Sequence, residues 1–506
     1  MEQGSSGAGG DFRQLLESWG PISDLARTEA LLAWDERTMM PAGGAEGRAE
    51  QVATVARIRH QQLSDDRLWD LVSGLAAELG DADTIEAASV RAAHRECGRA
   101  RRVPADLRAE IARAGSRGET AWAAARASSD LDSYLPHLER NVELRRRYGE
   151  CFAPYEHPYD PLLDDFEPGL PTATATRLLA ELRAGLVPIV AAVAESPAAV
   201  DDSLLRGHFP VDAQRRLLRG MLGELPLPEG CWRLDPTVHP FATSIAHGDV
   251  RLTTRFEPDD LSFALFSGLH EAGHGLYEAG VAAELSRGPI GQPASLAFHE
   301  SQSRLWENWV GRSRAYLGRL LGPLREAFPE RFADADAESL YRAANRARPS
   351  LIRVEADELT YNLHIALRFE LELELFEGSL QADELAEAWA ARTREYLGLE
   401  TPDHAHGLMQ DVHWAAGAFG YFPTYALGNV IAAQLWELAA EELGDPEQLI
   451  AAGELGALGE WLGTRIHRHG ARYPSAELAE RVLGGPIDPA ALLRRLRGKY
   501  GELYGF

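Results

Sequence analysis

Lysine is almost missing from this 506-residue chain: Lys499 is the only one, and every other basic residue is arginine. Cysteine is scarce as well. Cys97, Cys151 and Cys231 stand far apart with no Cys-x-x-Cys pair, which excludes a disulfide scaffold and a thiolate zinc cluster and fits a reducing cytoplasm. Positive charge is the third shortage. Against 77 acidic residues there are 51 basic ones, and a net charge of -26 repels phosphate backbones and anionic lipid. Neither nucleic-acid nor membrane-surface binding is expected. Long apolar runs are lacking too, because the early apolar stretches are short and broken by charge, so neither a secretory segment nor a membrane span is expected. What remains is an acidic, cytoplasmic globular protein whose 45% of hydrophobic residues can build a large core.

The apolar residues that are present recur at helical spacing. Leu178, Leu179, Leu182 and Leu186 follow one another at steps of three and four, with Arg177, Glu181 and Arg183 between them. Residues 1–10 are rich in Gly and Ser and read as a flexible tail. Residues 11–506 read as one domain, with an N-terminal helical part over about 11–230 and a catalytic part over about 231–506. Helical spacing runs from residue 11 to about 149, over 172–222 with a break expected at Pro188, and from 258 to 496. The Pro- and aromatic-rich stretch 151–171 fits neither period. Strand character is confined to residues 234–256, where the run from Asp249 to Phe256 alternates polar and apolar residues after Gly248. The predicted fold is mainly α, a large helical body with a small β-sheet inserted around residues 234–256.

His270-Glu271-Ala272-Gly273-His274 carries the strongest chemical signal. On a helix, positions i and i+4 share one face, so both imidazoles reach one metal ion. Glu271 stands beside them as a carboxylate able to take a proton from a metal-bound water. A hydrolytic zinc needs a third protein ligand and an open position for water. Glu278 lies one turn beyond His274 and suits a hydrogen bond to a histidine ring better than ligation. Glu300, in His299-Glu300-Ser301-Gln302, is the preferred third ligand. It begins a second helical stretch, and residues 288–293, Gly-Pro-Ile-Gly-Gln-Pro, supply the turn that brings that stretch back.

At this point the sequence resembles a known family, the thermostable carboxypeptidase 1 family of Taq-type zincin metallocarboxypeptidases. Six motifs carry the resemblance in order: His239-Pro240-Phe241, Asp249-Val250-Arg251-Leu252-Thr253, the His-Glu-Ala-Gly-His segment, His299-Glu300-Ser301-Gln302, Ile352-Arg353-Val354-Glu355-Ala356-Asp357-Glu358, and Gly407-Leu408-Met409-Gln410-Asp411-Val412-His413-Trp414. No motif position is substituted. The resemblance implies an almost entirely helical zincin-like body with a deep active-site groove and a homodimer; the three ligands call for one zinc per chain, and cobalt or manganese could use the same ligands. The resemblance also implies release of single carboxy-terminal residues with broad specificity, proline being poorly released.

A peptide ending in a free carboxylate calls for a guanidinium, whose planar fork matches it with two hydrogen bonds. Arg353 is the preferred candidate, on an expected helical face with Asp357 and Tyr361; the alternative is a purely structural Arg353–Asp357 pair. Arg251 on the expected strand is the competitor, or braces its surroundings through Asp249. His413 and Tyr421, by analogy with other helical metallopeptidases, are candidate donors to the oxyanion of the tetrahedral intermediate, with Tyr425 nearby in sequence. His239 is a candidate substrate contact or a turn cap. Two rival functions stand beside the carboxypeptidase: an endo-oligopeptidase or dipeptidyl carboxypeptidase, and a non-enzymatic metal-binding protein, against which Glu271 argues.

Overall fold

Helices make up most of the chain, and among the described residues the named strands form one three-stranded sheet. The computed structural model describes residues 5–506. Two compact units are formed, each from three stretches of sequence. One takes the segment ending at Arg102, Ser203–Tyr341 and Leu438–Gly484; the other takes Val103–Asp202, Arg342–Glu437 and Gly485–Phe506. A division near residue 230 follows chain order, and the packing does not. Among the described residues no helix is long and apolar enough to cross a membrane.

In the first unit, the helix Ser5–Thr38 presents Leu15, Trp19 and Ile22 at steps of four and three. They share a core with Leu68, Val72 and Leu75 of the helix Asp66–Leu79 and with Val90, Ala93 and Cys97 of Ile85–Arg102. The Asp65 carboxylate accepts from the backbone N–H groups of Arg67 and Leu68 and so starts the second of these helices. Residues 5–10, expected in the tail, differ: they are the first turns of Ser5–Thr38. Once the apolar face from Leu15 onward is anchored, each added residue extends the helix with one more hydrogen bond and no new nucleus. Residues 1–4 lie outside the described residues.

The sheet has the order β1-β3-β2, with β1 (Trp232–Pro236) parallel and β2 (Ala242–Ala246) antiparallel to the central β3 (Asp249–Thr254). Val250 and Leu252 of β3 are fully buried. They pack under the helix Leu261–Gly280 at Gly275, where a Cβ would stand 2.7 Å from the Leu252 Cδ2 and 3.1 Å from the Val250 Cγ1. The same helix meets Leu296–Arg304 at Gly273, whose hypothetical Cβ would lie 2.5 Å from the Gln302 carbonyl oxygen and 2.6 Å from the Ser303 Cα. Only a residue without a side chain permits that approach.

The second unit pairs the helices Ala105–Ser128 and Leu131–Glu150 and adds Thr172–Glu195, Tyr361–Glu377, Leu385–Leu397 and Ala490–Tyr504. Thr172–Glu195 runs through Pro188 without the expected break. A proline inside a helix costs about 3 kcal/mol, and burial of Leu182, Leu186, Ile189, Val190 and Val193 on either side of it offsets that cost. The expected helix over 258–496 is likewise interrupted. Residues 345–360 and 398–421 are irregular, with one 3-10 turn at Arg353–Glu355. Pro349, Pro402 and the positive-φ glycines Gly398, Gly417 and Gly420 account for the breaks.

The helix Tyr361–Glu377 is buried on nearly every side and carries Asn362, His364, Arg368 and Glu372 into the interior. Glu372 accepts from the Tyr159 hydroxyl, the Trp414 indole (2.6 Å) and the Gly420 N–H (2.9 Å). Asn141 donates to the Trp414 and Ala415 carbonyls at 3.1 and 2.7 Å, and Trp122 donates to the Met409 carbonyl at 2.7 Å. The irregular 398–421 segment is thereby fixed from two sides. Lys499, the sole lysine, is buried in this unit in an ion pair with Glu358.

Candidate metal centre and an arginine cluster

His270 and His274 sit one turn apart on Leu261–Gly280, with ring centroids 4.9 Å from each other. Glu300, on the helix that crosses at Gly273, directs Oε2 to both rings: 3.6 Å from His270 Nε2 and 3.3 Å from His274 Nε2. The three donor atoms lie within 4.8 Å of one another, and among the described residues no other group of three or more His, Cys, Asp or Glu has such spacing. The second carboxylate oxygen of Glu300 accepts from Arg304 Nε at 2.7 Å. Burial opposes the charge on Glu300, but Arg304 and the two histidines outweigh it and hold the carboxyl well below its usual range.

Each imidazole is prepared as a ligand in its own way. His270 Nδ1 lies 2.9 Å from Glu307 Oε2. An ionised carboxylate only accepts, so Nδ1 carries a proton and Nε2 is the nitrogen turned towards Glu300. Burial opposes a charge on this ring, but Glu300 and Glu307 outweigh it and raise its pKa, so a metal ion would bind Nε2 by displacing a proton. Burial pushes His274 down to about 3, with the His299 charge adding to it, so this ring is neutral at neutral pH. Its face stacks on His299 at 4.3 Å. Glu278 lies against the ring of His299, with Oε1 3.3 Å from Nε2 but no hydrogen bond formed, and its other oxygen is 3.7 Å from Arg27.

Glu271 is 5% exposed, and its Oε2 has no hydrogen-bond partner. Burial raises its carboxyl to about 8, with His270 opposing and the Glu300 and Glu307 charges adding. A buried acceptor without a donor, next to three metal-competent atoms, suits a water or a substrate N–H.

The family-model comparison decides the class. A model described as carboxypeptidase Taq (M32) metallopeptidase matches residues 14–500. The chain belongs to that family. It is similar to thermostable carboxypeptidase 1 of Thermus thermophilus, 42% identical over 505 residues that cover 98% of this chain and 99% of that protein. Carboxypeptidase 1 of Bacillus subtilis is 37% identical over 494 residues, covering 98% of each. The crystal structure of an M32 carboxypeptidase from Deinococcus radiodurans superposes with a TM-score of 0.94 at 38% identity, over 98% of this chain and 100% of that one. The enzyme is thus a metallocarboxypeptidase, a hydrolase acting on peptides. A metal ion is implied by the family, and the donor set fits one: two neutral-capable imidazole nitrogens and one carboxylate oxygen, the usual protein complement of a hydrolytic site.

The second unit of the enzyme holds a separate polar cluster. Arg353 is buried, and its Nε and Nη2 donate to Asp411 Oδ1 at 3.1 and 2.8 Å while Nη1 donates to the Tyr361 hydroxyl at 3.0 Å. The partner is therefore Asp411, not Asp357. Because Arg353 lies on the 3-10 turn and not on an α-helix, the expected shared face with Asp357 does not form; Asp357 instead accepts from the N–H groups of Arg348, Leu359 and Thr360. Arg368 Nε donates to the other Asp411 oxygen at 2.7 Å. Burial opposes ionisation of Asp411, yet the two guanidiniums hold it far below the usual carboxylate range. Two arginines against one carboxylate leave this buried cluster one positive charge in excess.

His413, two residues on from Asp411, packs on Phe422 at 4.6 Å and places Nε2 3.4 Å from the Tyr425 hydroxyl, while Nδ1 makes no hydrogen bond. Burial, then Arg353, lowers it to about 4. The Tyr421 ring meets Phe166 edge-on at 5.0 Å and Tyr425 at 5.1 Å. Arg251 is taken up by Asp249, through Nε at 2.5 Å and Nη2 at 2.9 Å, and lies over the Trp34 ring at 4.5 Å. His239 is exposed between β1 and β2. Sequence reasoning passed over Arg304, Glu307 and Arg368. The first two follow Glu300 at i+4 and i+7, a helical signal that was there to be read.

Proposed function

We propose that this enzyme is a zinc carboxypeptidase that removes single residues from the carboxy terminus of peptides, with broad specificity and poor release of proline. His270, His274 and Glu300 would hold the ion, which when bound supplies Lewis-acid polarisation and lowers the pKa of water. Glu271 takes the proton of the attacking water at its unpartnered Oε2 and returns it to the leaving amine. That oxygen, buried and without a donor, is the observation that carries the reading.

Arg353 receives the terminal carboxylate in this proposal. Arg353 and Arg368 share the single carboxylate of Asp411, and the positive charge left over supports that role, since a peptide carboxylate would neutralise it. Arg251 is charge-matched by Asp249, with no second guanidinium bonded to that carboxylate, and is the weaker candidate, and His239 contributes a contact only. His413 and Tyr421 donate to the developing oxyanion, with neutral imidazole available over the physiological range. The same reading takes the enzyme to be a cytoplasmic homodimer, checked by fractionation and by sedimentation.

Mass spectrometry of a peptide ladder, with and without chelator, tests the whole. Metal-dependent loss of one residue at a time from free-acid peptides is expected. Dipeptide release, or equal cleavage of carboxy-amidated peptides, would make it a dipeptidyl carboxypeptidase or an endo-oligopeptidase instead.

A further inference from the structure

We propose that Arg304 is a positioning residue that restricts Glu300 to a single ligating oxygen. The inference rests on His270, His274 and Glu300 being the metal ligands. Glu300 has two oxygens in different surroundings: Oε2 faces the two imidazoles at 3.6 and 3.3 Å, while Oε1 is engaged by Arg304 Nε at 2.7 Å. Arg304 is the last residue of the helix Leu296–Arg304, one turn on from Glu300, and the wider π-helical turn Leu305–Gly311 begins immediately after it. Its Nη1 donates to Glu307 Oε2 at 3.2 Å, the same oxygen that accepts from His270 Nδ1 at 2.9 Å. One guanidinium therefore braces both a ligand and the partner of a second ligand.

The side chains concerned are 7–13% exposed, so water does not compete strongly for these bonds. A fork is required. Lysine carries its three donors on one nitrogen and lacks the separated Nε and Nη1 with which Arg304 meets Glu300 and Glu307 at once. With Oε1 occupied, Glu300 contributes one donor atom and the three protein ligands leave a position for water. A carboxylate free to chelate with both oxygens raises the coordination number, as hard-cation sites do. Arg304 thus keeps the centre at low coordination, the regime that suits zinc and cobalt.

Cobalt(II) reports this directly, because its visible absorption is intense at low coordination number and weak when six donors surround it. The native enzyme loaded with one cobalt per chain is expected to absorb strongly. Arg304→Met, similar in reach but without donors, should bind cobalt and lose most of that intensity per bound ion. Arg304→Lys, which keeps the charge, should lose intensity in the same direction. A purely structural role would lower the melting temperature of both variants and leave the spectrum of the folded, loaded protein alone; that result overturns the proposal. If Arg304→Met does not fold, Arg304→Lys decides by the same criterion. Failure of the native chain to take up cobalt at these residues would instead overturn the ligand assignment itself.

Discussion

The raised carboxyl of Glu271 has a consequence for stability that is separate from catalysis. In the metal-free enzyme its pKa stands at about 8, against an ordinary value of 4.5. A group whose folded pKa is raised contributes stability that is complete below its unfolded pKa and is lost as pH climbs through the folded one. The window is therefore about pH 4.5 to 8. Integrated from pH 5 to pH 9, the loss is about 4 kcal/mol. Glu271→Gln has nearly the shape of the protonated acid and does not titrate, so it escapes the loss. Chelated native enzyme and chelated Glu271→Gln should be compared by melting temperature at both pH values. The variant should gain on the native chain as pH rises. Reloading zinc should close most of the gap, since a divalent charge beside Glu271 favours its carboxylate. A gap that is constant between the two pH values, or that narrows, refutes the idea that burial keeps this acid protonated. In the same variant, hydrolysis should fall by about two to four orders of magnitude with metal content unchanged.

Glu300→Ala should lose the metal where Glu271→Gln keeps it, and equal metal content in the two, read by elemental analysis, would reverse their roles. Arg353→Ala removes the proposed carboxylate partner at a cost of about 2–5 kcal/mol in transition-state binding, hence roughly 30-fold to several thousand-fold in kcat/KM on free-acid peptides. Amidated peptides should suffer little further loss, and Arg251→Ala, run beside it, should not discriminate between the two substrates. Gly273→Ala forces a Cβ within 2.6 Å of backbone on the neighbouring helix. An overpacking penalty of about 1–3 kcal/mol is expected, together with weaker zinc retention in chelator competition, because Glu300 rides on the helix that must move.

What could be read from the sequence was what local spacing controls. His270 and His274 are one turn apart on any helix, and Glu300 followed from the need for a third ligand on the next helical stretch. The alternation of Asp249 to Thr254 likewise revealed the central strand. Contacts set by distant chain segments were invisible. Arg353 and Asp411 are 58 positions apart and both lie in irregular backbone, so no periodic pattern joins them. The neighbouring Asp357, four residues from Arg353, looked like the partner only on the assumption of a helix that Pro349 and the turn at Arg353–Glu355 replace. Pro188 misled in the opposite sense, because a breaker's local cost was weighed without the buried leucines around it. The two units draw on alternating segments, which reading in chain order cannot separate.

The buried Lys499–Glu358 pair bears on how this enzyme can be handled. Amine-directed reagents need an accessible, unprotonated amine, and the only lysine ammonium here is 2% exposed and held by a carboxylate. In the folded state, succinimidyl esters and aldehydes are left with the chain's α-amino group. Dyes, biotin or a solid support would then be attached at one defined point per chain. Glutaraldehyde, which normally stitches proteins together through surface lysines, should fix this one poorly.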